Sequence, residues 1–333
     1  MRYRTLGKTG LQVSELGLGT CFMAGQGQDG VTACIQAAVD AGVNYFDTAA
    51  DYGLGNDEVM LGIGLHGIRD RVVLATKVGY TPDPRGHRDA DQLMAQFDAS
   101  LQRLQTDYVD IIQVHEADFR KWWSDAPISA TEAAYHGAPT TTMDDIDNDI
   151  AGAPVVEFLA RAVASGKTRF IGLTAKNARL LARLLRALTV DSVMIAHQYN
   201  PIFRNADAFL YPLTAEQQVG VVIGAPLMKG WLAVPQITWR TDPPGWMDET
   251  FNQTYSRLLE IVQESGLPLV EVSLRWMLAE SRLHSIVVGF SALSDVTQNL
   301  EIIARGPLPA DLQAAVNAIG IVHPLIYQGR TTL

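Results

Sequence analysis

The feature that most constrains this chain is an alternation. Eight short apolar runs recur along it: Glu15–Leu18, Val43–Phe46, Val72–Thr76, Val109–Val114, Arg169–Gly172, Val193–Ala196, Gly220–Ile223 and Ser285–Val288. Between them lie stretches of helical composition or period: Val31–Ala41, Glu58–Gly67, Ala90–Leu104, Val155–Ala164, Ala178–Leu188, Asp207–Gln218 and Tyr255–Glu280. The last is interrupted at Gly266-Leu267-Pro268, which predicts two helices. Short strands separated by helices pair in parallel through right-handed crossovers, and eight is the number that closes a barrel. The pattern predicts an α/β fold, a (β/α)8 TIM barrel forming a single domain over residues 1–333. Arg4–Leu6 and Gln12–Ser14 flank a Gly-Lys-Thr-Gly turn and predict an N-terminal β-hairpin cap.

An open doubly wound sheet is the competing topology. Its usual mark is a GxGxxG turn after the first strand. Here Gly17-Leu18-Gly19 runs on into Thr20, Cys21 and Phe22, without the third glycine.

Two excursions interrupt the plan. One covers residues 116–150 and contains Trp122-Trp123 and the run TTTMDDID; the other, Trp231 to Trp246, is rich in proline. Both follow strands, which places them as long loops on the catalytic rim of a barrel. A loop as long as the first is uncommon without a task, so a lid is favoured over disorder or an interface patch. Five of the six tryptophans fall in these two segments. They would wall a pocket or pack on one another.

Charge and cysteine content narrow the function. With 26 basic and 36 acidic residues the formal charge is -10, which disfavours a phosphate backbone, so no nucleic-acid partner is expected. Cys21 and Cys34 form no CxxC pair and read as buried thiols. No apolar stretch is long enough to span a membrane, and MRYRTLGKTG does not resemble a secretory signal, so the cytoplasm is the expected location.

Reactive side chains fall at consecutive strand ends. Asp47 follows the run in VNYFDTAADYG, with Tyr52 on the next connection; Lys77 ends VVLATK and His115 ends DIIQVH. In a parallel barrel these ends converge on one mouth. A phenol titrates near 10, but an ammonium beside it favours the phenolate, so Lys77 is expected to lower the pKa of Tyr52. Asp47 would hold Lys77 charged, and His115 would orient a substrate oxygen and pass its proton. Singly, each has an ordinary alternative: rim packing, a solvated lysine, a core histidine, a helix cap. Their joint placement argues for chemistry.

Other chemistries fit less well. The seven histidines form no HxH or HExxH pair, so no metal site is expected. GxSxG and GxxxxGK[ST] are absent. A two-carboxylate glycosidase drawing on Glu15, Asp47, Asp51 or Glu116 stays open.

These residues carry a recognisable pattern. RYRTLGKTGLQVSELGLGT, NYFDTAADYG, LATKVG, DIIQVH, RFIGLT, HQYN, APLMKG and SIVVGFSALSDVTQNLE together resemble the aldo-keto reductase superfamily over nearly the whole chain. The resemblance implies a catalytic tetrad of Tyr52 as general acid/base, Lys77 as its modulator, Asp47 as partner of Lys77, and His115. It also implies a nicotinamide coenzyme extended across the barrel mouth. Gly19 and Thr20 would lie near the nicotinamide ribose, and Thr174 and Gln198 at the carboxamide. Pro226, Leu227 and Gly230 would approach the pyrophosphate, and Gly289, Phe290, Asp295, Gln298 and Asn299 the adenosine end.

Three departures matter. Gly224 stands where members commonly stack an aromatic ring beneath the nicotinamide, and Ala175 where an asparagine is common. At the adenosine end, Gly289 and Asp295 replace a lysine and an arginine found in many NADP-using members. An aspartate repels a 2'-phosphate or accepts from a free 2'-hydroxyl, so NAD is expected over NADP, with Lys176 or Arg305 as cations that could still serve a phosphate. The APLMKG and GLT segments are most similar to the branch of L-galactose, L-fucose and D-threo-aldose 1-dehydrogenases and pyridoxal 4-dehydrogenase. That implies oxidation of the anomeric hydroxyl of an aldose, or a similar hemiacetal, to a lactone. An aldehyde or ketone reductase, and a nicotinamide-binding regulatory subunit without turnover, are the alternatives.

Overall fold

In a computed structural model, residues 1–21, 23–79, 86–124 and 150–323 are described. The hairpin comes first, as β1 (Tyr3–Thr5) and β2 (Gln12–Ser14), antiparallel. Eight parallel strands follow: β3 (Leu16–Gly19), β4 (Tyr45–Asp47), β5 (Val73–Val78), β6 (Val109–Val114), β7 (Thr168–Ala175), β8 (Ser192–Ala196), β9 (Gly220–Gly224) and β10 (Ser285–Gly289). They pair in sequence order and close through β10 and β3 into a barrel. The expected (β/α)8 architecture is the observed one.

The interior is filled rather than open. Tyr45, Val73, Ala75, Ile111, Met194, Val222 and Val287 point inward, and Leu6, Leu11 and Val13 of the hairpin plug the floor beneath them. Leu6 is fully buried, worth about 2 kcal/mol of transfer free energy. The plug sits so close that a Cβ on Gly220 would lie 2.5 Å from Leu6, and one on Gly7 2.3 Å from the Gly220 nitrogen. Gly7 also has φ +49°, so backbone conformation and space both call for glycine there. Glu15 fixes the hairpin by accepting from Arg2 Nε at 2.7 Å and Arg4 Nε at 2.9 Å. Its position at the amino end of β3 removes it from the mouth, and with it one of the carboxylates a glycosidase could have used.

Helices cover the outside. Asp89 caps Ala90–Arg103 by accepting from the Asp91 and Gln92 amides, and Asn177 caps Ala178–Ala187 in the same way. The expected break is present: Glu249–Ser265 ends on Gly266 at φ +68°, and Pro268 precedes Leu269–Met277. The expected single helix Asp207–Gln218 is two, Asn205–Phe209 and Tyr211–Glu216, because Pro212 has no N–H to continue the ladder. Two helices that the periodicity did not mark, Leu293–Ala304 and Ala310–Ile319, follow β10. No helix among the described residues is long and apolar enough to cross a membrane.

The loop after β6 is pinned where it is described. Trp122 and Trp123 are buried, their Nε1 atoms donating to His115 O at 3.1 Å and Ala117 O at 2.6 Å. Residues 125–149, the body of the expected lid, lie outside the described residues. In the second excursion the tryptophans pack on each other. Trp231 and Trp246 stack at 4.4 Å between centroids, and Trp239 stands edge-on to both.

Candidate active site

Barrel register assembles the site. Asp47 closes β4 level with Gly19 and Ala75. Lys77, two residues beyond Ala75, shares its inward face, and lies level with Gln113. Lys77 Nζ donates to Asp47 Oδ1, and to Thr48 O at 2.7 Å. Gln113 Nε2 donates to Asp47 Oδ2 at 2.8 Å. Asp47, Lys77 and Gln113 are all buried. An ammonium and a carboxylate at this depth are tolerable only because each has several partners.

Above this layer sit Tyr52 and His115. Lys77 Nζ lies 4.7 Å from the centroid of the Tyr52 ring, over its face. The Tyr52 and His115 rings meet edge to face at 5.6 Å. Asp51 completes the group, its Oδ1 3.2 Å from His115 Nδ1. The four residues read from strand ends are thus brought together at one mouth.

The electrostatic expectation for Tyr52 is corrected. Its phenol is driven well above the ordinary value, first by burial and then by the negative charges of Asp47, Asp51 and Glu116 among others. The Lys77 charge is spent on Asp47 and the Thr48 carbonyl and approaches the ring face. Asp51 behaves oppositely. Burial pushes its carboxyl up, but the charge and hydrogen bond of His115 and the charge of Lys77 outweigh it and leave it low.

The two cysteines differ. Cys34 is buried as expected, whereas Cys21 is exposed. Desolvation by the surrounding protein, with the charges of Asp51 and Asp57, outweighs Lys77 and pushes its thiol up to about 11. It is a neutral thiol at the mouth, not a core residue.

The positions expected to meet a coenzyme share this rim. Gly19 ends β3, and Thr20 Oγ1 donates to Thr48 Oγ1 at 2.8 Å. Thr174, in β7, accepts from Glu116 N at 2.9 Å and donates to Val114 O at 3.3 Å, tying two strand ends together. Gln198 is buried, and its Oε1 accepts from Asn205 at 2.8 Å, which aims the amide nitrogen elsewhere. Gly224 faces the interior, where a Cβ would meet Met194 Sδ at 3.0 Å. Past β9, Pro226 is buried and Leu227 half-buried. Gly230 has φ +95° with nothing near a Cβ. His197, Ala225, Met228 and Lys229 hold positive φ, as does Glu116, and strain of this kind gathers at functional sites.

Gly289 ends β10 and Phe290 is buried behind it. Asn299 is buried and Gln298 exposed on the helix that begins at Leu293. Asp295 is turned onto that helix's own start: one oxygen accepts from Ser291 N at 2.8 Å, Ser291 Oγ at 2.9 Å and Ala292 N at 3.0 Å.

Several residues were not singled out from sequence. Gln113 could have been, as a polar residue two positions before His115 in an apolar strand. Asp118 could not. It is fully buried, accepts from Lys176 N at 2.9 Å, and lies beside the ion pair of Lys176 with Glu116. Burial first, then the Glu116 charge, raise its pKa to about 7. Among the described residues no group of three or more His, Cys, Asp or Glu side chains is arranged to hold a metal ion.

A closed parallel barrel with titratable groups gathered at its carboxyl mouth is the architecture of a barrel enzyme. The aldo/keto reductase family matches residues 15–321, and the chain belongs to that family. It is thus an oxidoreductase of the nicotinamide-dependent kind. It is similar to L-galactose dehydrogenase of Arabidopsis thaliana, 28% identical over 309 residues, covering 89% of this chain and 86% of that protein. D-threo-aldose 1-dehydrogenase of a Pseudomonas species is 27% identical over 335 residues, covering 92% and 93%. A solved aldo-keto reductase of Bacillus halodurans, in its holo form, superposes with a TM-score of 0.76 at 24% identity, covering 98% of this chain and 99% of that one. At that identity the last comparison speaks for the fold.

Proposed function

We propose that this protein oxidises the anomeric hydroxyl of an aldose, or a comparable hemiacetal, to a lactone with NAD. The observation that carries the chemistry is the cluster itself: a phenol and an imidazole stand edge to face above a buried lysine and carboxylate. The sugar reading draws on the two aldose-type dehydrogenases described above.

The rim carries groups that a dinucleotide would use. Lys229 is pulled down by burial and then by the like charge of Lys176, a strain that an anion beside them relieves. Gly19 and Thr20 would meet the nicotinamide ribose, Thr174 and Gln198 the carboxamide, and Pro226, Leu227 and Gly230 the pyrophosphate. Gly289, Asp295, Gln298 and Asn299 would meet the adenosine end. When bound, the coenzyme supplies the acceptor for the hydride of the substrate carbon.

The chain's own residues handle the oxygen. Tyr52 exchanges its proton as general acid/base, and His115 orients it and helps relay the proton. Lys77 and Asp47 hold the Tyr52 ring in place, with Gln113 fixing the carboxylate from the other side. Run in reverse, the same groups protonate a carbonyl oxygen.

Preference for NAD rests on three engaged side chains. Asp295 places a carboxylate at the helix start where a 2'-phosphate would need a donor. Lys176 is paired with Glu116, and Arg305 Nη1 donates to Glu271 at 2.5 Å, so neither alternative cation stands ready for a phosphate.

A substrate screen with NAD and NADP, covering L-fucose, L-galactose, D-arabinose, other aldoses and pyridoxal, tests this. Lactone formation from an aldose with NAD supports the proposal. Turnover confined to aldehydes and ketones with NADPH overturns it.

A further inference from the structure

Glu116 directly follows His115, and the backbone passes through a left-handed conformation there, at φ +52°. A glutamate does not adopt that conformation readily, so its surroundings impose it. The end of β7 does so: Glu116 N donates to Thr174 Oγ1 at 2.9 Å, Ala117 N to Thr174 O at 2.6 Å, and Lys176 N to Asp118 Oδ2 at 2.9 Å. The turn leaves the Glu116 carboxylate accepting from Lys176 Nζ, with 6% of its side chain exposed against 20% for the lysine. The charge of Glu116 reaches the Tyr52 phenol and Lys121, which places the pair on the wall of the mouth beside the tetrad.

Two strand ends could be joined as well by apolar side chains, because a buried ion pair regains little beyond its own desolvation cost. An apolar pair could not bond a hydroxyl.

We infer that Glu116 and Lys176 are specificity-determining residues that recognise the hydroxyl on the carbon next to the anomeric centre. The inference rests on the proposed function and deepens it, from aldoses in general to those hydroxylated at that carbon.

The chemistry is complementary. A sugar hydroxyl donates one hydrogen bond and accepts others. The pair offers a carboxylate to take the O–H and an ammonium to donate to the oxygen, and bonds to charged partners are the stronger kind. Lys176 keeps its charge. Burial pulls its pKa down, but the charge and hydrogen bond of Glu116, with the charges of Asp118 and Asp51, outweigh that and hold it above the ordinary value.

Adjacency supplies the register. His115 orients the reacting oxygen, and the next residue along the chain, its Cα about 3.8 Å away, is placed to meet an oxygen one carbon further on. The segment is also held from its other side, where Trp122 Nε1 donates to His115 O and Trp123 Nε1 to Ala117 O. A carboxylate fixed in this way is ordered before the sugar arrives, which lowers the cost of binding. A sugar lacking the hydroxyl forfeits its bonds while the pair stays desolvated, so discrimination is large.

The test compares the best aldose of the substrate screen with its 2-deoxy counterpart. Wild type is expected to favour the full aldose by about 100-fold or more in kcat/KM. Glu116→Ala combined with Lys176→Met removes both members and leaves neither charge unpaired. In that double variant the ratio is expected to fall to within about threefold, because the full aldose loses far more than the 2-deoxy sugar. A pair that only braces the strand ends would lower both sugars together and leave the ratio standing, which overturns the inference. Should the double variant fail to fold, Glu116→Gln alone keeps the size of the side chain and is expected to lower the ratio about tenfold. An unchanged ratio there is equally fatal.

Calorimetry of the product lactone against its 2-deoxy counterpart, on wild type saturated with NADH, reads the same preference without turnover. Equal affinities overturn the inference. The two readings fail distinguishably. A wild type that oxidises no aldose defeats the proposed function and this inference with it, while an active wild type that treats the two sugars alike defeats only the role of Glu116 and Lys176.

Discussion

Lys77 reaches Asp47 and the Thr48 carbonyl with its ammonium while lying 4.7 Å from the centroid of the Tyr52 ring. One lysine thus holds a carboxylate and sits against a phenol in a dry layer of the barrel. Tyr52→Phe keeps the ring in place and removes the donor. It is expected to lower kcat by about 10²- to 10⁴-fold while leaving NAD affinity within a factor of two or so, measured by steady-state kinetics and equilibrium binding. Retained activity would remove Tyr52 from the chemistry.

The same contact has a stability consequence. Lys77→Met strips the buried Asp47 of its cation and leaves it to Gln113. The expected loss is about 3–5 kcal/mol in denaturant unfolding. The double variant with Asp47→Asn should recover a good part of it, since no unpaired charge then remains.

Asp118 titrates near neutrality for a reason of position. Burial raises its pKa to about 7 from the ordinary 3.8. A carboxyl whose folded value is raised contributes stability that is complete below the unfolded value and is lost as pH climbs through the folded one. Wild type is therefore expected to lose stability between pH 4 and 8 relative to Asp118→Asn, whose oxygen can still accept from Lys176 N. The gap approaches a ceiling of about 4 kcal/mol. Thermal unfolding at the two pH values measures it, and a constant difference would show that Asp118 does not titrate in this window.

Asp295 carries the coenzyme expectation. Asp295→Arg removes a carboxylate that serves three donors at the start of the helix Leu293–Ala304 and places a cation there. Preference is expected to move toward NADP by about tenfold or more, with about 1 kcal/mol lost from helix capping. A wild type that already prefers NADP would contradict the reasoning.

The floor of the barrel gives a test remote from the site. Leu6→Ala empties the hairpin plug and is expected to cost about 2–5 kcal/mol. Because the mouth lies at the other end, kcat should stay near the wild-type value in folded protein.

Much of this molecule was legible in its sequence because a barrel is periodic. All eight strands lie within a few residues of the apolar runs, since a strand buried on both faces must be continuously apolar. The helical break at Gly266-Leu267-Pro268 followed from local backbone chemistry, and the split at Pro212 follows from the same rule. The helices beyond β10 escaped because no further strand follows to frame them. The gathering of Asp47, Tyr52, Lys77 and His115 was legible because parallel strands deliver their ends to one mouth.

What the sequence determined by itself was therefore the set of elements and the end of the barrel on which chemistry would sit. Only the tertiary structure decided the charge states and partners there. Whether Lys77 lowers the Tyr52 pKa depends on what else binds its ammonium, and Asp47 and the Thr48 carbonyl do. That Cys21 is exposed, that Asp295 turns onto its own helix, and that Asp51 faces His115 depend on directions and distances between side chains. Periodicity records which face a residue occupies. Electrostatic character is set by neighbours a few ångströms away in space, contributed by strands far apart in the chain.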